Sequence, residues 1–330
     1  NMLLSSKKIK IGDSAIRVLV FLLVFAAMSI VNPTVASPVN LVNLLNNMVF
    51  ISLSAMALTI LMTMNILDLA VTAYGVLGAF SVVKFCSQYW MDANMWVMLL
   101  AACILGALST MLSAWLIYRF RIEGFLLSIA MANILHMVLF LEGRESTAIS
   151  TSQVPSNMLQ LFKTNIFTVQ SGKVSVGLNV MAPIVIFIAI ALWFFLNKTK
   201  IGRNIFAIGG NFEAAERMGI NLKKTYFVAY AIAGALCGLA MMRGYMAQQA
   251  NVTALGLKGQ YGDAMAAVIF GGTQCEKGSG GSIVGTMAGV LLITLIRTNL
   301  VIIGIPSYAQ SFVISMLLMA SVVLSAMKKQ

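Results

Sequence analysis

The chain has 330 residues, of which 60% are hydrophobic and 10% are charged, and its mean hydropathy is +0.92. A soluble domain carries about 25% charged and 45–50% apolar residues. The composition therefore excludes a cytosolic enzyme and a disordered chain, and it argues against a nucleic-acid-binding domain. The net charge of +12 reads as the lysine and arginine surplus of cytoplasmic loops in a polytopic membrane protein.

Lys7, Lys8 and Lys10 precede the first apolar run, 16–31. Thr34-Val35-Ala36 loosely matches a signal-peptidase site, but the stretch reads equally well as a loop, and the run is taken as an uncleaved span. Runs 49–64 and 67–83 follow, separated only by Asn65-Ile66. Runs 95–118, 124–141, 174–196, 226–246, 283–303 and 305–327 are also long enough to cross a bilayer, which takes roughly 20 residues. Segment 248–270 differs, because it holds Gln248, Gln249, Asn251, Lys258, Gln260 and Asp263. A lipid-facing helix cannot carry that load. A short or broken helix lining a cavity can. Counting it as a crossing predicts an all-α integral membrane protein of about ten helices, forming one transmembrane domain over residues 1–330.

An even number of crossings puts both termini on one side. Placing that side in the cytoplasm leaves only Lys84, Arg144, Lys163, Lys173, Arg243, Lys258 and Arg297 of the 22 basic residues outside the inner segments. The positive-inside rule thus favours cytoplasmic termini. Two long connections result, an external one at 142–173 and an internal one at 197–225. Long internal loops are often functional.

The internal loop encodes a short capped helix. Gly209-Gly210 allows a sharp turn, and Asn211 is a good N-cap. Glu213 lies in the first turn, where the helix dipole favours a carboxylate. Glu213 and Arg217 are four apart in the favourable order. Ala214 and Ala215 leave a small-residue face that lets another surface approach closely, and Gly219 is a natural stop. Such an element suits docking onto a cytoplasmic partner. No Gly-x-x-x-x-Gly-Lys-Ser/Thr occurs in the chain, so any ATP that drives it is bound elsewhere.

The run from Gly202 to Ile220, Gly-Arg-Asn-Ile-Phe-Ala-Ile-Gly-Gly-Asn-Phe-Glu-Ala-Ala-Glu-Arg-Met-Gly-Ile, closely resembles the coupling loop of ribose/galactose-type permeases of binding-protein-dependent ABC importers. Further matches are Asp263-Ala-Met-Ala-Ala-Val-Ile-Phe-Gly-Gly-Thr, Gly281-Ser-Ile-Val-Gly-Thr, Asp68-Leu-Ala-Val and Ile303-Gly-Ile-Pro-Ser-Tyr-Ala-Gln. The chain departs from the family pattern in three places. Asn65-Ile66-Leu67 stands where Gly-Gly-Ile is usual, Phe212 stands where proline is common, and the turn after Gly271-Gly272-Thr273 is one residue longer than usual. The resemblance implies a bacterial inner-membrane permease subunit that is not itself an enzyme. It implies a second permease copy or a related permease beside it, as a homo- or heterodimer. It implies a separate ATPase subunit holding ATP and magnesium, and a periplasmic or lipid-anchored binding protein. The cargo is then a monosaccharide, with nucleosides, sugar-derived signalling molecules and branched-chain amino acids as alternatives within related permeases. An ion-driven secondary transporter and a non-transporting membrane scaffold are the readings from other classes.

Neutral sugars need hydrogen-bonding groups without a fixed countercharge, which makes Asn65, Asp68, Asn133 and His136 candidate pathway residues. For His136, the only histidine, ordinary helix packing is the competing reading. Arg243 and Arg297 either snorkel to headgroups or face a cavity or partner. Gly281, Gly285 and Gly289, and Gly234 with Gly238, space small residues for close helix packing. The four cysteines show no Cys-x-x-Cys spacing, so no metal site, catalytic residue or bound cofactor is expected.

Overall fold

The computed structural model describes residues 21–22, 24–30, 32–143, 149–150, 154–158, 164–171, 174–247, 251–252, 261–273, 280–306, 309–316 and 319. After helical residues 24–30 and a 3-10 turn at Pro33–Ala36 come α1 (Pro38–Thr63), α2 (Val71–Tyr89), α3 (Met95–Phe120) and α4 (Gly124–Gly143). One short strand and the two strands of a hairpin follow in the order β1 (Ile149–Ser150), β2 (Asn165–Ser171) and β3 (Val174–Asn179). Then come α5 (Met181–Lys198), α6 (Lys200–Gly210), α7 (Phe212–Arg217), α8 (Leu222–Ala247), β4 (Asn251–Val252), α9 (Tyr261–Phe270) and α10 (Ile283–Ile302). Residues 309–316 are helical again.

Among the described residues, six helices are long and apolar enough to cross a membrane: α1, α3, α4, α5, α8 and α10. The expected ten crossings are not reached there. The run at 174–196 begins as strand, because Val-Ser-Val-Gly-Leu-Asn alternates and pairs antiparallel with β2. Its helix starts only at Met181, whose N–H is accepted by the Asn179 side chain at 2.9 Å. The polar segment 248–270 contributes a ten-residue helix, α9. At 1.5 Å per residue it is about 15 Å long, half of a hydrocarbon core of about 30 Å. The first and last runs are described only in part.

Helix α1 is the centre. It starts eleven residues before its hydropathy run, because Ser37 accepts the N–H of Asn40 at 3.3 Å and proline occupies the first helical position. Every residue from 51 to 64 is buried. Around it pack α8, α10, α9 and α5, and α8 in turn packs on α3 and α2. The periphery is different. The apolar window of α4 is 22% buried, against 78% for α1. Phe187, Leu141 and Leu100 point outward, as side chains facing lipid or a partner would.

Contact between the helices relies on small residues. Lipid tails are as apolar as leucine, so close approach supplies the attraction. A Cβ on Gly234 of α8 would overlap the carbonyl oxygen of Gly106 of α3, and one on Gly238 would overlap that of Ala102. Thr110 bonds across the same crossing to the Tyr230 carbonyl at 2.8 Å. A Cβ on Gly289 of α10 would overlap the Ala267 carbonyl of α9, and one on Gly271 would overlap the Gly285 carbonyl of α10. The glycine spacings seen in the sequence therefore serve packing within the chain.

The bundle has two distinct ends. At one, the Asn46 side chain of α1 holds the β2–β3 hairpin, donating to the Gly177 carbonyl at 2.8 Å and accepting the Asn179 N–H at 2.9 Å. The β1–β4 pair joins Ile149 to Val252. At the other end lie the α1–α2 turn, the α3–α4 corner, the α6–α7 loop and the turn after α9. Gly124 abuts Ile66 there, and Gly281 abuts Thr63.

A Gly238→Val exchange is expected to cost about 1–3 kcal/mol or more through overpacking, lowering the thermal midpoint in detergent. Leu108→Val, on an exposed face, should leave that midpoint unchanged within a degree or so.

Candidate functional site

The 197–225 loop is more ordered than its sequence suggests. Helix α6 precedes the expected docking helix. Thr199 caps it, accepting the Gly202 N–H at 3.0 Å. Its buried residues, Gly202, Ile205, Ile208 and Gly209, fall on one helical stripe. Gly209 and Gly210 do not make the turn. They continue α6, and the chain changes direction at Asn211, which is extended (φ −160°, ψ 110°). The Asn211 side chain then accepts the Ala214 N–H at 2.8 Å, capping α7.

Helix α7 ends as its sequence suggests. Gly219 is left-handed at φ 73°. Its N–H reaches the Glu216 carbonyl at 3.0 Å, and the Ile220 N–H reaches that of Ala215 at 3.2 Å. This paired ending needs a residue that tolerates positive φ. Ala215 is fully buried, whereas Ala214, Glu213 and Arg217 are exposed. The two alanines thus face opposite ways. Glu213 and Arg217 approach to 3.8 Å with both side chains in water, so the pair adds only a few tenths of a kcal/mol. Met218 stands out from the surface at 68% exposure.

Three residues outside the expected set complete this end. Arg121, just past α3, is itself left-handed at φ 53°. It donates to both carboxylate oxygens of Glu216, at 2.8 and 3.1 Å. Its guanidinium carbon lies 5.7 Å from the centroid of the Phe212 ring. No local signal in Arg119-Phe-Arg-Ile-Glu reveals a contact across so much sequence.

The four candidate pathway residues do not form one cluster. Asn65 terminates α1 in the left-handed region (φ 62°), with the same paired ending as Gly219: Asn65 N–H to Met62 and Ile66 N–H to Leu61. Asparagine tolerates that conformation. Asp68 is buried and accepts the Ala70 N–H at 2.8 Å, where α2 begins. The Tyr230 hydroxyl neighbours this carboxylate outside regular hydrogen-bond geometry. Tyr74 and Ser113 share a short hydroxyl contact beside it. Asn133 and His136 lie on α4, the first exposed and the second half-buried. Nine residues separate Asn133 from Gly124, which is about 14 Å along the axis.

A polar group that the sequence did not pair lies on α9 and α10. Asp263, buried in the first turn of α9, takes Arg297 of α10 at 2.7 Å. Arg297 is not snorkelling. Its side chain is 31% exposed, and its Nε is buried with no hydrogen-bond partner. Intramembrane charges are costly and usually face a cavity or a partner. Arg243 is buried as well and does not snorkel either.

Comparisons with known proteins identify the family. Residues 40–322 match the family described as branched-chain amino acid transport system / permease component. The chain belongs to that family, and it is a multi-pass membrane protein of the ABC permease class. It is 28% identical over 312 residues to the ribose import permease protein RbsC of Escherichia coli, covering 93% of this chain and 92% of that one. The ribose import permease protein RbsC of Bacillus subtilis is 29% identical over 306 residues, 91% and 88% of the two chains. The galactose/methyl galactoside import permease protein MglC of Haemophilus influenzae is 28% identical over 235 residues, 70% and 67%. No solved structure matches the chain.

Asp263→Asn and Arg297→Gln should each lower the thermal midpoint, because each strands a partner in the membrane interior. The double variant should lose less than the sum, with a coupling of about 0.5–3 kcal/mol. Additive losses would show that the pair is not an interacting unit.

Proposed function

We propose that this chain is the membrane-spanning subunit of an ABC importer that moves a monosaccharide into the cytoplasm by alternating access. The observation that carries the proposal is the likeness to ribose import permeases over about nine-tenths of both chains. The family description names branched-chain amino acids, but the relatives that match end to end are named for sugars. A second copy or a related permease would complete the path, a binding protein would deliver the cargo, and an ATPase would dock at the α7 end.

Charge supports that orientation. Arg119, Arg121, Lys198, Lys200, Arg203 and Arg217 cluster around the α3–α4 corner and the α6–α7 loop, and under the positive-inside rule this supports a cytoplasmic α7 end, with the termini proposed on the same side. The surface of α7 bearing Glu213, Ala214, Arg217 and Met218 is the docking face, and Asn211 and Gly219 fix its two ends. Asn65 at the α1–α2 turn, buried Asp68, and Asn133 and His136 on α4 are proposed to contribute to the path. The Asp263–Arg297 pair joins them, because half-length α9 begins inside the bundle with Asp263 in its first turn. None of these groups breaks a covalent bond. The chain channels and the ATPase supplies the energy.

Tagged protein from mild detergent should bring down a P-loop ATPase in stoichiometric amount. Glu213→Arg and Gly219→Val should reduce sugar uptake tenfold or more while membrane insertion stays intact. A chain recovered alone, with ATP-independent and ion-dependent uptake in liposomes, would replace this reading with a secondary transporter.

A further inference from the structure

The α3–α4 corner carries a side chain bound to both ends of α7. Arg121 is neither glycine nor asparagine, yet it sits in the left-handed region. A residue stays there when its surroundings fix it. The result is a change of direction. The guanidinium leaves the membrane helices and lies over α7, where it binds Glu216 through both carboxylate oxygens. It also sits 5.7 Å from the Phe212 centroid, within the roughly 6 Å range of a cation–π contact. Phe212 opens α7, and Glu216 stands one turn further on. The Glu213–Arg217 pair, by contrast, ties α7 only to itself.

Along the chain, Asn211 joins α7 to α6 in extended conformation, and residues 218–221, with Gly219 left-handed, join it to α8. Ala215 packs its inner face into the core. The glycine crossing of α3 with α8 lies far away. Gly106 is fifteen residues before Arg121, about 22 Å along α3, so that contact sets where the helices cross but does not itself touch α7.

We propose that Arg121 is a positioning residue that clamps α7 to the α3–α4 corner, so that a displacement of α7 is carried directly into α3 and α4. The inference rests on the reading of α7 as the docking helix. The ion pair is exposed, at 67% and 45%. Such pairs add little to folding stability, so variants of it still fold and the effect appears in transmission.

The test uses the full chain copurified with its ATPase, on a cysteine-free background. One spin label replaces Leu41, at the opposite end of the bundle. The second replaces either Met218 on α7 or Ile122 at the corner, and all three sites are exposed. Distances are compared between nucleotide-free and vanadate-trapped complexes. In the otherwise unaltered chain both distances should shift on trapping. In Arg121→Gln the 41–218 distance should still shift, while the 41–122 shift falls by half or more. The exchange Arg121→Glu with Glu216→Arg should restore it. An equal 41–122 shift with and without Arg121, or none in the unaltered chain, would overturn the clamp. Loss of the ATPase from Arg121→Gln alone would overturn it too, making Arg121 part of the docking surface. Failure of the unaltered chain to retain an ATPase would instead remove the docking reading, and the clamp with it.

Discussion

Backbone contact between α3 and α8, through Gly106, Gly234 and Gly238, is the constraint on which the remaining geometry depends. Both helices run for 26 residues, and each is continuous with one half of the α7 end. Helix α3 leads into Arg121. Helix α8 begins just after Gly219. Where the two helices cross therefore sets how far the corner lies from the loop. In lipid no hydrophobic force draws apolar helices together, so contact this close is what orders them. Larger side chains at the crossing would separate the helices and carry Arg121 away from Glu216.

The polar groups divide between the ends and the interior in a way that suits a rigid bundle with a movable loop. At the ends, Asn65, Gly219, Gly272 and Gly304 each take positive φ and close a helix with paired N–H bonds, satisfying carbonyls that would otherwise be orphaned. In the interior, hydroxyls tie helices together: Thr59 meets Thr286 at 2.6 Å, and Thr110 reaches the Tyr230 carbonyl. The Asp263–Arg297 ion pair belongs to the half-length helix α9 and its neighbour α10. Stability thus lies in α1, α8 and α10. Contacts that can change without unfolding lie in α6, α7 and the corner.

How much of this was legible varies with the range of the signal. The capping asparagine and stopping glycine of α7 are local, and both were read from the sequence. The α3–α8 crossing is encoded by glycine spacing, which shows that close packing occurs but not with which helix. Helix α6 was missed because Gly209-Gly210 looked like a turn, although Ile201, Ile205 and Ile208 already mark a helical stripe. Hydropathy alone did not set the limits of the helices. Val174–Asn179 is apolar but strand-paired, and polar 248–270 yields only α9. The Arg121–Glu216 and Asp263–Arg297 contacts join distant segments, and residue type does not reveal such pairings. Asn65 and Asp68 proved to have local backbone roles that a search for pathway groups does not suggest.

The central claim is that the outer face of α7 contacts an ATPase. It is tested most directly by placing a photo-crosslinking amino acid at Met218 and irradiating intact membranes. The account predicts one dominant adduct, containing a P-loop ATPase subunit, and none from the same probe at Phe187 on the lateral face of α5. An adduct pattern at Met218 without an ATPase, or one indistinguishable from that at Phe187, would contradict it.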